Sequence, residues 1–131
     1  MATDPQRRPC VLVIGDVEEI RDGIERLLRF SGYLVTTARD EAAAVVNAGS
    51  PPADLILISL GIDAASAVVM AHRIRDAARL NHSVPVVVFC VPGLPEGAEK
   101  MIGDNIYLTR PDNFDQLRRL LKRLVADRPS A

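Results

Sequence analysis

Asp54-Leu55-Ile56-Leu57-Ile58-Ser59-Leu60-Gly61 is the stretch that decides the fold. Four consecutive aliphatic residues, Leu55 to Ile58, leave no face of a strand for water. Such a run fits a parallel strand covered by helices on both sides. It stops at Ser59, with a glycine two residues later. In open α/β sheets, ligands and chemistry sit beyond the carboxyl ends of the strands. Ser59 therefore stands where an active-site residue is expected, and it is chemically bland.

Working outward, the same alternation of strands and helices recurs. Upstream, Cys10-Val-Leu-Val-Ile14 is a first apolar strand, followed by Gly15-Asp16 and a helix from about Val17 to Phe30. Val17, Ile20, Ile24, Leu27 and Leu28 share one stripe at helical spacing, and Gly32 is placed to cap the helix end in a left-handed conformation. Leu34 to Ala38 forms a second strand. Asp40 then caps a short helix, Glu41 to Ala48, ended by Gly49-Ser-Pro-Pro52.

Downstream of Gly61, a helix runs from about Ala64 to Leu80 with Ala67, Ala71, Ile74 and Ala78 facing the sheet. Val84-Pro-Val-Val-Val-Phe89 is a fourth strand with its proline at the start, where one is tolerated. Pro92, Gly93, Pro95 and Gly97 then leave room only for a short helix around Glu96–Ile102. Ile106-Tyr-Leu108 is a brief fifth strand and Thr109-Arg110-Pro111 a turn. The last helix, about Asn113 to Ala126, points Phe114, Leu117, Leu120, Leu121 and Leu124 inward.

Five strands alternate with five helices. Right-handed crossovers favour a doubly wound, five-stranded parallel sheet of order 2-1-3-4-5 in a three-layer α/β sandwich. Residues 1–9 read as a loose leader, 10–126 as one domain and 127–131 as a tail. A chain of 131 residues suffices for one such core. Its 16 basic and 17 acidic residues give no support for nucleic-acid or membrane-surface binding. With strand-length apolar runs only, and no apolar signal core at the start, the cytosol is the default. Cys10 and Cys90 fall at opposite ends of their strands, too far apart for a bridge that needs Cα atoms within roughly 7 Å. With only His72 and His82 for company, they make no zinc pattern.

In this sheet order the carboxyl ends of strands one, three, four and five converge. They deliver Gly15-Asp16, Ser59, Cys90 and Thr109-Arg110-Pro111 to one crevice. The ordered set Val11-Leu-Val-Ile-Gly-Asp-Val-Glu-Glu-Ile20, Ala53-Asp-Leu-Ile-Leu-Ile-Ser-Leu60, Val84-Pro-Val-Val-Val-Phe89 and Tyr107-Leu-Thr-Arg-Pro111 resembles the receiver domains of bacterial response regulators, the CheY-like family. The resemblance covers Cys10 to about Val125. It implies phosphorylation of an aspartate, with Mg²⁺ held by two adjacent acids after strand one.

The departures from that pattern carry the functional reading. Gly15 and Asp16 match the two acids, so one carboxylate is missing. Ser59 replaces the phosphoacceptor aspartate, and it cannot form an acyl phosphate. Cys90 replaces the phosphate-binding Thr/Ser and is a weaker donor. Arg110 replaces the lysine, keeping the charge with a planar fork in place of a compact ammonium. Mg²⁺ wants oxygen ligands in a strict octahedron, so its binding is expected to be weak or absent, with Asp16 the one weak candidate. An Asp16–Arg110 salt bridge is the preferred filling of the vacated site. Ser59 reads as a strand-end hydroxyl and Cys90 as a packed thiol. Tyr107, at the family's switch position, is either a static core aromatic or a rotating switch.

These residues imply a non-enzymatic pseudo-receiver, independent of phosphorylation, that works by protein–protein contact. Its partner would be a histidine kinase, a downstream effector or a second copy. The expected face is that of the fourth helix, fifth strand and fifth helix, including Tyr107 and the basic cluster Arg118, Arg119, Lys122 and Arg123. One alternative is a phosphorylatable regulator with a displaced acceptor. Asp63 lies in the right loop for that, and Asp54 at the wrong end of its strand. A small-molecule-binding flavodoxin-like module is a second alternative, although the acidic Gly15-Asp-Val-Glu-Glu19 loop would repel phosphate. A hydrolase or thiol enzyme on Ser59 or Cys90 lacks an identifiable base.

Overall fold

A computed structural model describes residues 8–49, 52–80, 83–89, 93–111 and 113–126. Most of the expected leader, the tail 127–131, Cys90 and His82 lie outside the described residues. The elements run β1 (Cys10–Gly15), α1 (Glu18–Phe30), β2 (Leu34–Ala38), α2 (Glu41–Asn47), β3 (Leu55–Ser59) and α3 (Ala64–Ala77). They continue with β4 (Val86–Phe89), β5 (Ala98–Gly103), β6 (Ile106–Arg110) and α4 (Phe114–Ala126). One sheet has the order β2-β1-β3-β4-β6-β5. Its first five strands are parallel and follow the doubly wound order read from the sequence.

The continuous apolar runs are explained by two cores, one on each face. Leu12, Ile14, Ile56, Ile58, Val86 and Val88 pack with Ala44 of α2 and Ala67, Ala71 and Ile74 of α3. Their neighbours Val11, Val13, Leu55, Leu57 and Val87 pack on the other face with Ile24, Leu28, Leu117, Leu120, Leu121 and Leu124 of α1 and α4. Alternate residues of each strand point to opposite faces, so a strand buried on both sides must be apolar throughout. The four aliphatic residues Leu55 to Ile58 are fully buried for this reason.

Helix ends follow local chemistry. The Asp40 carboxylate accepts the Ala43 N–H at 2.9 Å and opens α2, and Asn113 Oδ1 accepts the Gln116 N–H at 3.0 Å at the start of α4. The end of α1 closes with Tyr33 N–H donating to Leu28 O and Gly32 N–H to Arg29 O. That pair of bonds is a Schellman motif, and it holds Gly32 at φ 98°. A Cβ there would meet no neighbouring atom within 4 Å, so the penalty for Gly32→Ala is conformational. We expect a loss of about 1 kcal/mol, read as a lower urea midpoint with unchanged slope.

Three expectations need correction. The short helix around Glu96–Ile102 is instead strand β5, antiparallel to β6. Asp104 and Asn105, at φ 51° and 60°, make the tight turn between them. Thr109 and Arg110 belong to β6 and are not a turn. On α1, Val17 precedes the helix, and Val17, Ile20 and Leu27 are 49%, 51% and 44% exposed. That helix lies over β1 and β2 at the side of the sheet, so only Ile24 and Leu28, at the centre of the stripe, reach the core.

Candidate functional site

The crevice is built by strand register. Gly15, the last residue of β1, stands directly opposite Ser59, the last residue of β3. Phe89 ends β4 opposite Thr109 of β6, and Arg110 follows. Gly15, Ser59 and Arg110 thus finish at one edge of the sheet. Cys90, next after Phe89, lies outside the described residues.

After Ser59 the chain turns through Gly61, at φ 63°, into the loop that starts α3. Asp63 caps that helix, its Oδ1 accepting the Ser66 N–H at 2.7 Å. Hydrogen bonds from the Ser66 backbone and side chain hold the exposed Asp63 carboxyl below its ordinary value. Asp54 sits at the other end of β3, buried, with Oδ2 accepting the Cys10 N–H at 2.8 Å. That is the wrong end for the crevice, as its place before the apolar run implied.

The expected Asp16–Arg110 salt bridge does not form. Among the described residues the exposed Asp16 has no ion pair, and Arg110 Nη1 donates to Leu94 O at 3.2 Å. The reason is spacing. Strands β3 and β4 both intervene between β1 and β6, which is about 14 Å across the sheet. The loop before β5 offers Arg110 a nearer acceptor.

A cation that sequence reasoning missed stands closer. Arg21 Nη1 donates to Gly15 O at 2.7 Å, and the Arg21 stem is the nearest neighbour a Cβ on Gly15 would meet. Its signal was position: Arg21 lies one helical turn after Val17, on the turn that faces the end of β1. The residues of the crevice do not fit Mg²⁺. Gly15 offers no carboxylate, Ser59 offers a hydroxyl, and Arg21 brings a positive charge to the strand end. Among the described residues no group of three or more His, Cys, Asp or Glu is placed to hold a metal ion.

Tyr107 is half-buried and packs in the α1/α4 core beside Phe89 and Phe114. The basic cluster of α4 is divided. Arg123 pairs with Glu99 of β5 at 3.3 Å and Arg118 with Asp115 at 2.7 Å. Arg119 and Lys122 make no ion pair among the described residues.

Known proteins share this fold. The chemotaxis protein CheY4 of Vibrio cholerae superposes with a TM-score of 0.66 at 20% identity, covering 90% of this chain and 99% of that one. A chain from the complex of histidine kinase ThkA with response regulator TrrA gives 0.67 at 21% identity, covering 88% and 97%. The fold is that of the CheY-like receiver domains. In sequence, the receiver-like chain is 30% identical over 128 residues to the transcriptional regulatory protein PrrA of Mycobacterium leprae, covering 92% of this chain and 51% of PrrA. It is 26% identical over 119 residues to the probable transcriptional regulatory protein TcrX of Mycobacterium tuberculosis, covering 86% and 50%. The chain spans about half the length of these curated relatives. No family model matches the sequence.

Proposed function

We propose that this chain is a response-regulator receiver domain of two-component signalling that has lost conventional phosphoryl transfer and acts through protein–protein contact. The observation that carries the reading is the register pair Gly15 and Ser59. The two strand ends that should each present a carboxylate present a hydrogen and a hydroxyl. Without those carboxylates a divalent cation has too few charged oxygens. A serine without a neighbouring base is also a weak nucleophile.

One structural neighbour is a complex of a response regulator with a histidine kinase, and we infer the same class of partner here, a histidine kinase or a downstream effector. A second copy is the other candidate. The face offered is α4 with the β5–β6 hairpin, since a strand replaces the fourth helix of the expected surface. The names of PrrA and TcrX describe proteins about twice as long. For this near-neutral stretch we infer a protein partner, not nucleic acid. No helix among the described residues is long and apolar enough to cross a membrane, and we place the domain in the cytoplasm.

Acetyl phosphate with Mg²⁺, followed by intact-mass measurement under mild conditions, tests the loss of chemistry. Unmodified protein is the expected result. An adduct mapping to Asp63 and lost in Asp63→Asn would mean a working switch with a displaced acceptor, and the proposal would fail.

A further inference from the structure

The cations of α4 border a cleft that the crevice does not use. It lies at the opposite, amino end of the sheet, where Pro9 precedes β1 and Tyr33 precedes β2. Its volume is about 600 Å³, and its walls include Pro9, Tyr33, Arg118, Arg119, Lys122 and Val125. We propose that this cleft binds a small phosphorylated ligand with a flat apolar body, of the nucleoside-monophosphate type.

Charge, shape and size each point to that class. Three cations line the cleft, and among the described residues no acidic side chain does. Arg118 has one donor engaged by Asp115, while Arg119 and Lys122 have no ion pair among the described residues. Two guanidinium forks and an ammonium suit a doubly charged phosphate better than a single carboxylate. The remaining wall is largely apolar, with Pro9 and Val125 beside the accessible edge of the mostly buried Tyr33, and an apolar body can lie along them. The volume falls among small-ligand pockets, roughly 300–1,000 Å³. A protein partner would need about 800 Å² of surface on each side, far more than this recess offers.

Tyr33 supplies a local reporter. Burial pushes its phenol up from the ordinary value and the nearby Arg118 opposes that shift. A bound phosphate would offset Arg118 and raise the phenol further, which ultraviolet titration detects.

The wild-type protein would be titrated with adenosine monophosphate, adenosine and inorganic phosphate, following the amide signals of Ser31, Gly32, Tyr33 and Val125 by nuclear magnetic resonance. Saturable shifts with the nucleotide are expected, with adenosine and phosphate each binding at least about tenfold more weakly. Arg119→Glu with Lys122→Glu should weaken nucleotide binding by at least about tenfold. Both residues are exposed, so the fold should survive, and Lys122→Gln makes the comparison without charge reversal. Absence of saturable shifts would overturn the proposal. So would phosphate binding as tightly as the nucleotide, unchanged affinity in the variants, or oligo-glutamate saturating the same signals more tightly than the nucleotide.

Discussion

Arg75→Met should destabilise the domain by about 3 kcal/mol or more, although it removes no residue of the crevice and keeps an apolar stem. Arg75 is fully buried. Its guanidinium donates to Asp104 O at 2.6 Å, to Val84 O, and to Asn105 O at 3.2 Å. These carbonyls belong to the chain entering β4 and to the tight turn between β5 and β6. One side chain of α3 therefore pins the antiparallel hairpin to the parallel sheet. Burial pushes the guanidinium below its ordinary value, an effect the Asp104 charge opposes, and Nε has no hydrogen-bond partner among the described residues. The charge is thus held at a desolvation cost that its carbonyl bonds must offset. Methionine fills much of the volume but takes the guanidinium donors from Val84 O and Asp104 O, while Asn105 O keeps the Val86 N–H, and an unsatisfied buried acceptor costs about 1–3 kcal/mol. Against a total of about 5–15 kcal/mol for a domain, the loss should be plain in urea unfolding. Hydrogen exchange should quicken first in β5 and β6. A variant within 1 kcal/mol of wild type would remove Arg75 from this role. Arg75→Lys separates charge from geometry, because one ammonium cannot serve all three carbonyls as the planar fork does.

That arginine is legible in the sequence. Ala67, Ala71 and Arg75 are spaced four apart, so the stripe that placed the alanines against the sheet also placed Arg75 there. The parallel sheet was easier to read, because strands buried on both faces leave continuous aliphatic runs that no surface helix shows. The hairpin was harder. Ala98-Glu-Lys-Met-Ile-Gly103 contains good helix formers and no clean alternation. Local propensity suggested a helix; pairing with β6 and the left-handed turn at Asp104-Asn105 overrode it. An Asp-Asn pair between two short β-compatible runs was the available hairpin signal. At the crevice, the approach of Gly15 to Ser59 is readable because the strand order makes β1 and β3 neighbours and both apolar runs end at these residues. The partners of Asp16 and Arg110 were not. They depend on loop carbonyls such as Leu94 O and on the reach of Arg21, which no periodicity encodes.

On the proposed reading, supplying a carboxylate at both strand ends should confer receiver chemistry, so Gly15→Asp combined with Ser59→Asp is expected to bind Mg²⁺ and accept a phosphoryl group at position 59. Position 15 has room. A Cβ added there would meet Arg21 Cβ at 3.4 Å and Ser59 O at 3.5 Å, both ordinary contacts, and its backbone is not left-handed. Because the two positions face each other in register, the new carboxylates would gather beside Asp16 and give a hard cation the charged oxygens it needs. The same crowding predicts a cost without metal. Neighbouring like charges repel, so the double variant should unfold at lower urea than wild type and recover when Mg²⁺ is added, since a ligand that binds only the native state stabilises it. Wild type should be indifferent to the ion. Calorimetry should show Mg²⁺ affinity at least about tenfold above either single variant. Intact mass after acetyl phosphate should show an adduct in the double variant alone. A folded double variant that binds Mg²⁺ yet takes no phosphoryl group would move the defect to Arg110 and Cys90. One that binds no Mg²⁺ would mean that Arg21, seated on the Gly15 carbonyl, closes the site to cations, and Arg21→Gln in the same background should then open it.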